Sequence, residues 1–210
     1  MPPRLPPPQV KHVAADRKDY PGLKEKLSAH KFDVVYDMNA REAEEVEGVL
    51  AACPGIKQYI FCSSAGVYLK SDQMPHLEQD ATDPKSRHKG KLDSEAVLAK
   101  SGVAWTSVRP VYIYGPLNYN PVEEYFFHRI AAGRPICIPA SGMQITQLGH
   151  VADLSDAFSK ARPHHPRPGC PSLTLTAIRL ARPLTLTAIR LSRPLILTAI
   201  RLARPLCCSA

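Results

Sequence analysis

Closely spaced glycines are missing from this chain. It carries 11 glycines in 210 residues, and no two lie nearer than seven positions. A dinucleotide fold brings backbone N–H groups against a pyrophosphate through glycines bunched between its first strand and first helix. These residues hold no such loop. Acid is missing from the last stretch: from Arg162 onward there are eight arginines and no Asp or Glu, which leaves residues 1–161 with 19 side chains of each sign. The net charge of +8 therefore belongs to the tail, and says nothing about an anionic partner for the body. No apolar run approaches ~18 residues, so no membrane-spanning helix is expected. No Cys-x-x-Cys occurs among the six cysteines. Cys53, Cys62 and Cys137 fall in apolar runs and read as buried thiols in a reduced interior. No His, Cys and carboxylate set has ligand spacing, and His164-His165 is too short a cluster, so no metal site is assigned. The start, Met1 to Pro8, is proline-rich without an apolar segment or a Ser/Arg-rich helix. Residues 1–9 read as a disordered leader, or as a Pro-rich ligand for another domain, and no transit peptide is visible.

What is present alternates strand and helix. Strands are expected at Val10–Ala14, Phe32–Met38, Ile56–Ser64, Val103–Val108, Pro135–Pro139 and Gln144–Leu148. Helices are expected at Leu23–Ala29, Arg41–Cys53, Asp83–Lys100, Pro121–Ala132 and Val151–Ala161. Three of the strands are continuous apolar runs, the pattern of strands covered on both faces. Residues 10–161 are thus expected to form an α/β domain, a parallel sheet with helices on both faces.

Residues 162–210 differ. Leu173–Pro183, Leu184–Pro194 and Leu195–Pro205 are near-identical copies of an 11-residue unit, LTLTAIRLARP in its first form. Each proline stops a continuous helix. Leu-Thr-Leu-Thr alternates like a strand, and the remainder is basic. The segment reads either as a membrane-surface- or nucleic-acid-binding tail or as translated repetitive DNA. It is expected to be disordered and to add nothing to the core.

Two motifs point to a family. Phe61-Cys-Ser-Ser64-Ala-Gly-Val-Tyr68 ends a strand, and Lys91 follows on a helix. This pair resembles the extended short-chain dehydrogenase/epimerase family, in which Ser-Ser-x-x-Val-Tyr is followed by Tyr-x-x-x-Lys. Ser64 and Lys91 match as remnant catalytic positions, but Arg87 stands where the tyrosine belongs. A guanidinium stays charged and cannot exchange the proton that the tyrosine exchanges. Val10 to Arg17 is similar to the family's third strand. That alignment implies an incomplete Rossmann-like sheet lacking its first two strands, with a gap in its middle. Asp16 would then lie near an adenine.

Each candidate has a plainer alternative. Ser64 would bond a substrate hydroxyl, or else only loop backbone. Lys91 would hold a nicotinamide ribose, or else be a solvated lysine. Asp16 would mark a cofactor site, or else close a turn. In His150-Val-Ala-Asp153, Asp153 is expected to cap the next helix.

Longer stretches narrow the resemblance: Phe32 to Asp37, Arg41 to Val46, Cys62 to Asp72, Asp83 to Leu92, Arg109 to Glu124, Gly133 to Pro135 and Gln147 to Val151. They are similar to the chloroplast stem-loop-binding group, its b-type above all, an atypical epimerase branch. The resemblance implies a chloroplast location and association with ribosomal and messenger RNA in its stabilisation and processing. It also implies an endoribonuclease dependent on a divalent metal in some members, and homo- or hetero-oligomers with a related member. NAD(P) is not expected to bind tightly. RNA contacts are expected on a basic helix face of Lys85, Arg87, His88, Lys89 and Lys91, with Tyr112 and Tyr114 stacking on bases. The rival readings are an NAD-dependent sugar-nucleotide epimerase or dehydratase, and a non-functional fragment.

Overall fold

The computed structural model describes residues 11–71, 76–138, 140–143 and 147–161, and the backbone of 173–176. Its elements run α1 (Tyr20–Ser28), β1 (Val34–Asp37), α2 (Ala43–Ala52), β2 (Gln58–Cys62), α3 (Lys89–Lys100), β3 (Ala104–Arg109), β4 (Tyr112–Tyr114), α4 (Val122–Ala131), β5 (Leu148–His150), α5 (Val151–Lys160) and β6 (Leu173–Thr176). The main sheet has the order β1-β2-β3-β6, and every pairing is parallel. β4 and β5 form a second, two-stranded parallel sheet.

The apolar run of β2 explains the layering. Successive side chains of a strand point to opposite faces. Tyr59 and Phe61 enter one core with Leu23 of α1, Val46 and Val49 of α2 and Leu98 of α3. Ile60 enters a second core with Val108 and with Leu154, Ala157 and Phe158 of α5. Gln58, on the α5 side, donates to the Ala161 carbonyl at 3.0 Å and so satisfies its own buried amide. Helices cover both faces, and the sheet is Rossmann-like but incomplete. Ser101 caps the end of α3, and Gly102 follows at φ +73°, the left-handed turn expected after a helix.

Several expected elements differ. Lys11–Asp16 is not a strand. Among the described residues no strand lies alongside to pair with it, and its Ala14 carbonyl takes the Lys26 ammonium at 2.7 Å. Among the described residues the sheet has no gap in its middle, and β1 forms its edge. Pro135–Ile138 is irregular, because Pro135 has no N–H for a ladder and its carbonyl accepts from Arg129 Nε at 2.7 Å. The strand expected at Gln144–Leu148 lies further on, at Leu148–His150, and Gln144–Thr146 fall outside the described residues. β4 is a strand that the sequence pattern does not predict.

The helix expected from Asp83 begins at Lys89. The Asp83 carboxylate accepts from Lys85 N–H at 2.8 Å, and the Ser86 hydroxyl accepts from His88 N–H at 3.0 Å. These local bonds divert the amides into turns that a helix would otherwise use. Within the expected tail, Leu173–Thr176 lines the free edge of β3. Its alternating sequence supplies a partner to the edge's exposed N–H and C=O groups. The expectation of a tail wholly apart from the domain is corrected at these four residues, and the rest of 162–210, with His164-His165, lies outside the described residues. Cys53 is buried and Cys62 nearly so, but Cys137 is exposed on the irregular stretch.

Candidate functional site

In a parallel sheet the carboxyl ends of the strands open onto a crevice where loops carry the chemistry. Here those ends are Asp37–Ala40, Cys62–Ser64 and Arg109–Pro110. Their side chains are fixed by three polar clusters.

The first cluster centres on Asp37, which is almost fully buried. Arg17 grips its carboxylate with both terminal nitrogens, Nη1 to Oδ1 at 2.9 Å. Tyr59 donates its hydroxyl to Oδ2 at 2.5 Å, and the Asn39 and Ala40 amides donate to Oδ1 at 3.1 and 3.0 Å. Burial alone would raise the Asp37 pKa. The bonds from Arg17 and Tyr59 outweigh it and hold the carboxyl below its ordinary value. Burial, then the Asp37 charge, pushes the Tyr59 phenol up.

The second cluster is internal. Glu95 of α3 accepts from Ser107 Oγ at 2.7 Å and from Arg109 through Nε at 3.0 Å and Nη2 at 2.5 Å. The Arg109 guanidinium lies 4.8 Å from the Tyr68 ring centre. The pair ties α3 to the end of β3 where it enters the crevice.

The third cluster holds Ser64, Arg87, His88 and Lys91 of the expected site residues. Lys91 is not on a solvated face. Its Nζ donates to the Ala40 and Cys62 carbonyls, at 2.5 and 2.6 Å, and sits 5.0 Å from the Phe61 ring centre. Burial lowers its pKa. It spans the ends of β1 and β2, and two of its three N–H groups are taken by these carbonyls. Ser64 accepts from the Gly66 amide at 3.1 Å, the local backbone bond that was its plainer reading. Ser86 Oγ donates to the Gly66 carbonyl at 2.7 Å. Arg87 is exposed, and its Nε donates to His88 Nε2 at 3.1 Å. Burial, with the charges of Arg87 and Lys91, lowers the His88 pKa. The structure thus brings Ser64, Gly66, Ser86, Arg87 and His88 together.

The remaining candidates scatter. Lys85 is exposed on the turn, and Lys89 pairs with Asp93 one helical turn on. The shared helix face expected for Lys85, His88 and Lys89 is absent, since only Lys89 lies within α3. Tyr112 is 57 % exposed on β4, whereas Tyr114 packs edge-on against His150 at 5.1 Å. Asp16 closes a local turn by accepting from Lys18 N–H at 2.9 Å, and it joins none of the clusters. The cap of α5 is His150, whose Nδ1 accepts from the Ala152 amide at 3.2 Å, and Asp153 follows inside the first turn.

Sequence reasoning missed Arg17, Asp37, Tyr59, Gly66 and Ser86. Only Asp37 left a local trace, as an acid closing an apolar strand just ahead of Asn39-Ala40. Among the described residues no three His, Cys, Asp or Glu side chains are grouped to hold a metal, and no helix is long and apolar enough to cross a membrane. For a dinucleotide, the described residues offer no glycine-rich turn to meet a pyrophosphate.

The profile of the NAD dependent epimerase/dehydratase family matches residues 6–170. The chloroplast stem-loop binding protein of 41 kDa b from Arabidopsis thaliana is 68% identical over 150 residues, which are 71% of this chain and 40% of that protein. The chain thus spans well under half the length of that relative. Among solved structures, a putative epimerase from Burkholderia cenocepacia superposes with a TM-score of 0.65 at 17% identity, covering 83% of this chain and 64% of that one. A UDP-glucose 4-epimerase from Thermus thermophilus in complex with NAD gives 0.60 at 19%, covering 77% and 61%. At such identity these likenesses concern the fold.

Proposed function

The chain belongs to the NAD dependent epimerase/dehydratase family, and from that premise we propose that it is a chloroplast RNA-binding protein that has put a basic turn where the family's enzymes keep their tyrosine. The observation that carries this reading is the 68% identity to a relative named for stem-loop binding. The geometry around Arg87 supports it. Arg87 is exposed at the mouth of the crevice, with Lys85 exposed two residues before it and Lys89 two residues after. Guanidinium and ammonium groups on a turn suit phosphate oxygens, and the exposed ring of Tyr112 suits an unpaired base. Lys91 acts from within, by holding the ends of β1 and β2 together.

Nicotinamide chemistry is disfavoured by the residues themselves. The Arg87 guanidinium releases no proton at any physiological pH. Cleavage of bound RNA with a divalent cation belongs to the same reading, and a time course in Mg²⁺ against EDTA tests it.

The experiment for binding is a salt series with a stem-loop RNA on the full chain, beside Lys85→Ala/Arg87→Ala. Removing one phosphate-binding side chain lowers the slope of log affinity against log salt by about one. We expect a slope lower by one to two in the double variant. The tail arginines contribute equally to both proteins, so an unchanged slope and affinity overturns the reading.

A further inference from the structure

We propose that Ser64 and His88 form a subsite for the ribose 2′-hydroxyl of RNA, next to a phosphate held by Arg87, and that this pair lets the chain tell RNA from DNA. The proposal rests on the RNA-binding reading and adds sugar specificity to it.

Gly66 is where the two side chains converge. A Cβ built on it would stand 2.6 Å from His88 Cδ2, 2.9 Å from His88 Nε2 and 3.3 Å from Ser64 Oγ. Imidazole and hydroxyl thus meet above bare backbone. Ser86 fixes this arrangement by bonding both the Gly66 carbonyl and the His88 amide. His88 stands at the start of α3 without a side-chain capping bond, so its ring is not engaged as a helix cap.

The hydrogen-bond roles follow from the partners. Ser64 Oγ accepts from the Gly66 amide, which leaves its own proton to donate. Arg87 Nε can only donate, so the His88 Nε2 that it meets carries the lone pair, and the ring proton is on Nδ1. Burial, with the charges of Arg87 and Lys91, lowers the His88 pKa and so favours the neutral ring. Once Arg87 turns away from Nε2, the subsite presents one donor and one acceptor above Gly66. A 2′-hydroxyl needs both, and a deoxyribose leaves both unpaired. Lysine and arginine side chains alone supply only donors and cannot complete such a pair. In the free protein Arg87 holds the imidazole lone pair. As its exposed guanidinium turns to a phosphate, Nε2 is released to the neighbouring 2′-O–H.

The test measures the affinity of the full chain for a 12-mer of uridylate and for the deoxyuridylate of the same length, at pH 7.5 and one salt concentration. Phosphate contacts, the tail's included, act alike on both, so their ratio isolates the sugar. One hydrogen-bonded hydroxyl corresponds to roughly a two- to tenfold preference for RNA. We expect that preference in the native chain, and a ratio near one in His88→Phe and in Gly66→Ala, whose methyl displaces the ring. His88→Gln, which keeps an acceptor, should retain part of it. Arg87→Ala should weaken both ligands by the same factor. Equal binding of both oligomers by the native chain, or an undiminished preference in His88→Phe, overturns the subsite while leaving RNA binding intact. Absence of binding to either oligomer overturns the subsite, and absence of binding to the stem-loop RNA as well overturns the RNA reading.

Discussion

Replacing Lys91 by methionine separates an internal brace from a surface contact. The ammonium donates to the carbonyls of Ala40 and Cys62, which belong to the ends of two neighbouring strands. Methionine fills similar volume against Phe61 but leaves both carbonyls without that donor. An unpaired buried acceptor costs about 1–3 kcal/mol. Removing a half-buried charge returns part of that, since its desolvation opposed folding. A net loss of about 2–3 kcal/mol follows, and for a domain of this size each kcal/mol shifts the melting midpoint by roughly 2–4 °C. The expected drop is therefore about 4–12 °C, followed by circular dichroism on heating. Arg87→Met, at an exposed position, should change the midpoint by the equivalent of no more than about 0.5 kcal/mol. RNA affinity should respond the other way. Arg87→Met lowers the salt slope, and Lys91→Met below its melting range does not. An unchanged midpoint in Lys91→Met with a salt slope lower by one would refute the brace and make Lys91 a phosphate contact.

Three further outcomes are expected. Purified protein given NAD and UDP- or GDP-sugars should show no epimerase or dehydrogenase turnover, because the proton-exchange step alone is worth about 10²–10⁴ in rate; turnover that Lys91→Ala abolishes would overturn this. Asp37 has a depressed pKa, so its contribution to stability is present above the ordinary carboxylate value and is lost as pH falls through the folded value; melts from pH 7 to pH 3 should show an acid loss that is diminished in Asp37→Asn, and an identical acid limb in the variant would refute it. Glu95→Gln leaves the Arg109 guanidinium buried without its counter-charge and should cost about 3–5 kcal/mol in urea unfolding, with a cost under about 1 kcal/mol counting against the pair.

The strand-helix alternation, the apolar β2 with its two covered faces and the arginine in place of the tyrosine were all legible in the sequence. Each is a local fact. A continuous apolar run requires cover on both sides, and a guanidinium is a poor proton carrier wherever it sits. The expected strand at Val10–Ala14 is not present over the described residues Lys11–Ala14, because a strand needs a neighbour and sequence pattern does not supply one. The basic helix face failed for a related reason: face arguments assume helical spacing, and Asp83 and Ser86 turn that segment into loops by bonding its amides. Lys91 reaches carbonyls 51 and 29 residues away, Arg17 reaches an aspartate 20 residues on, and the His88 ring comes to rest over Gly66. These long-range placements depend on which strands lie side by side and where their ends fall. Sheet order therefore decided which of the basic residues face solvent and which brace the crevice from within.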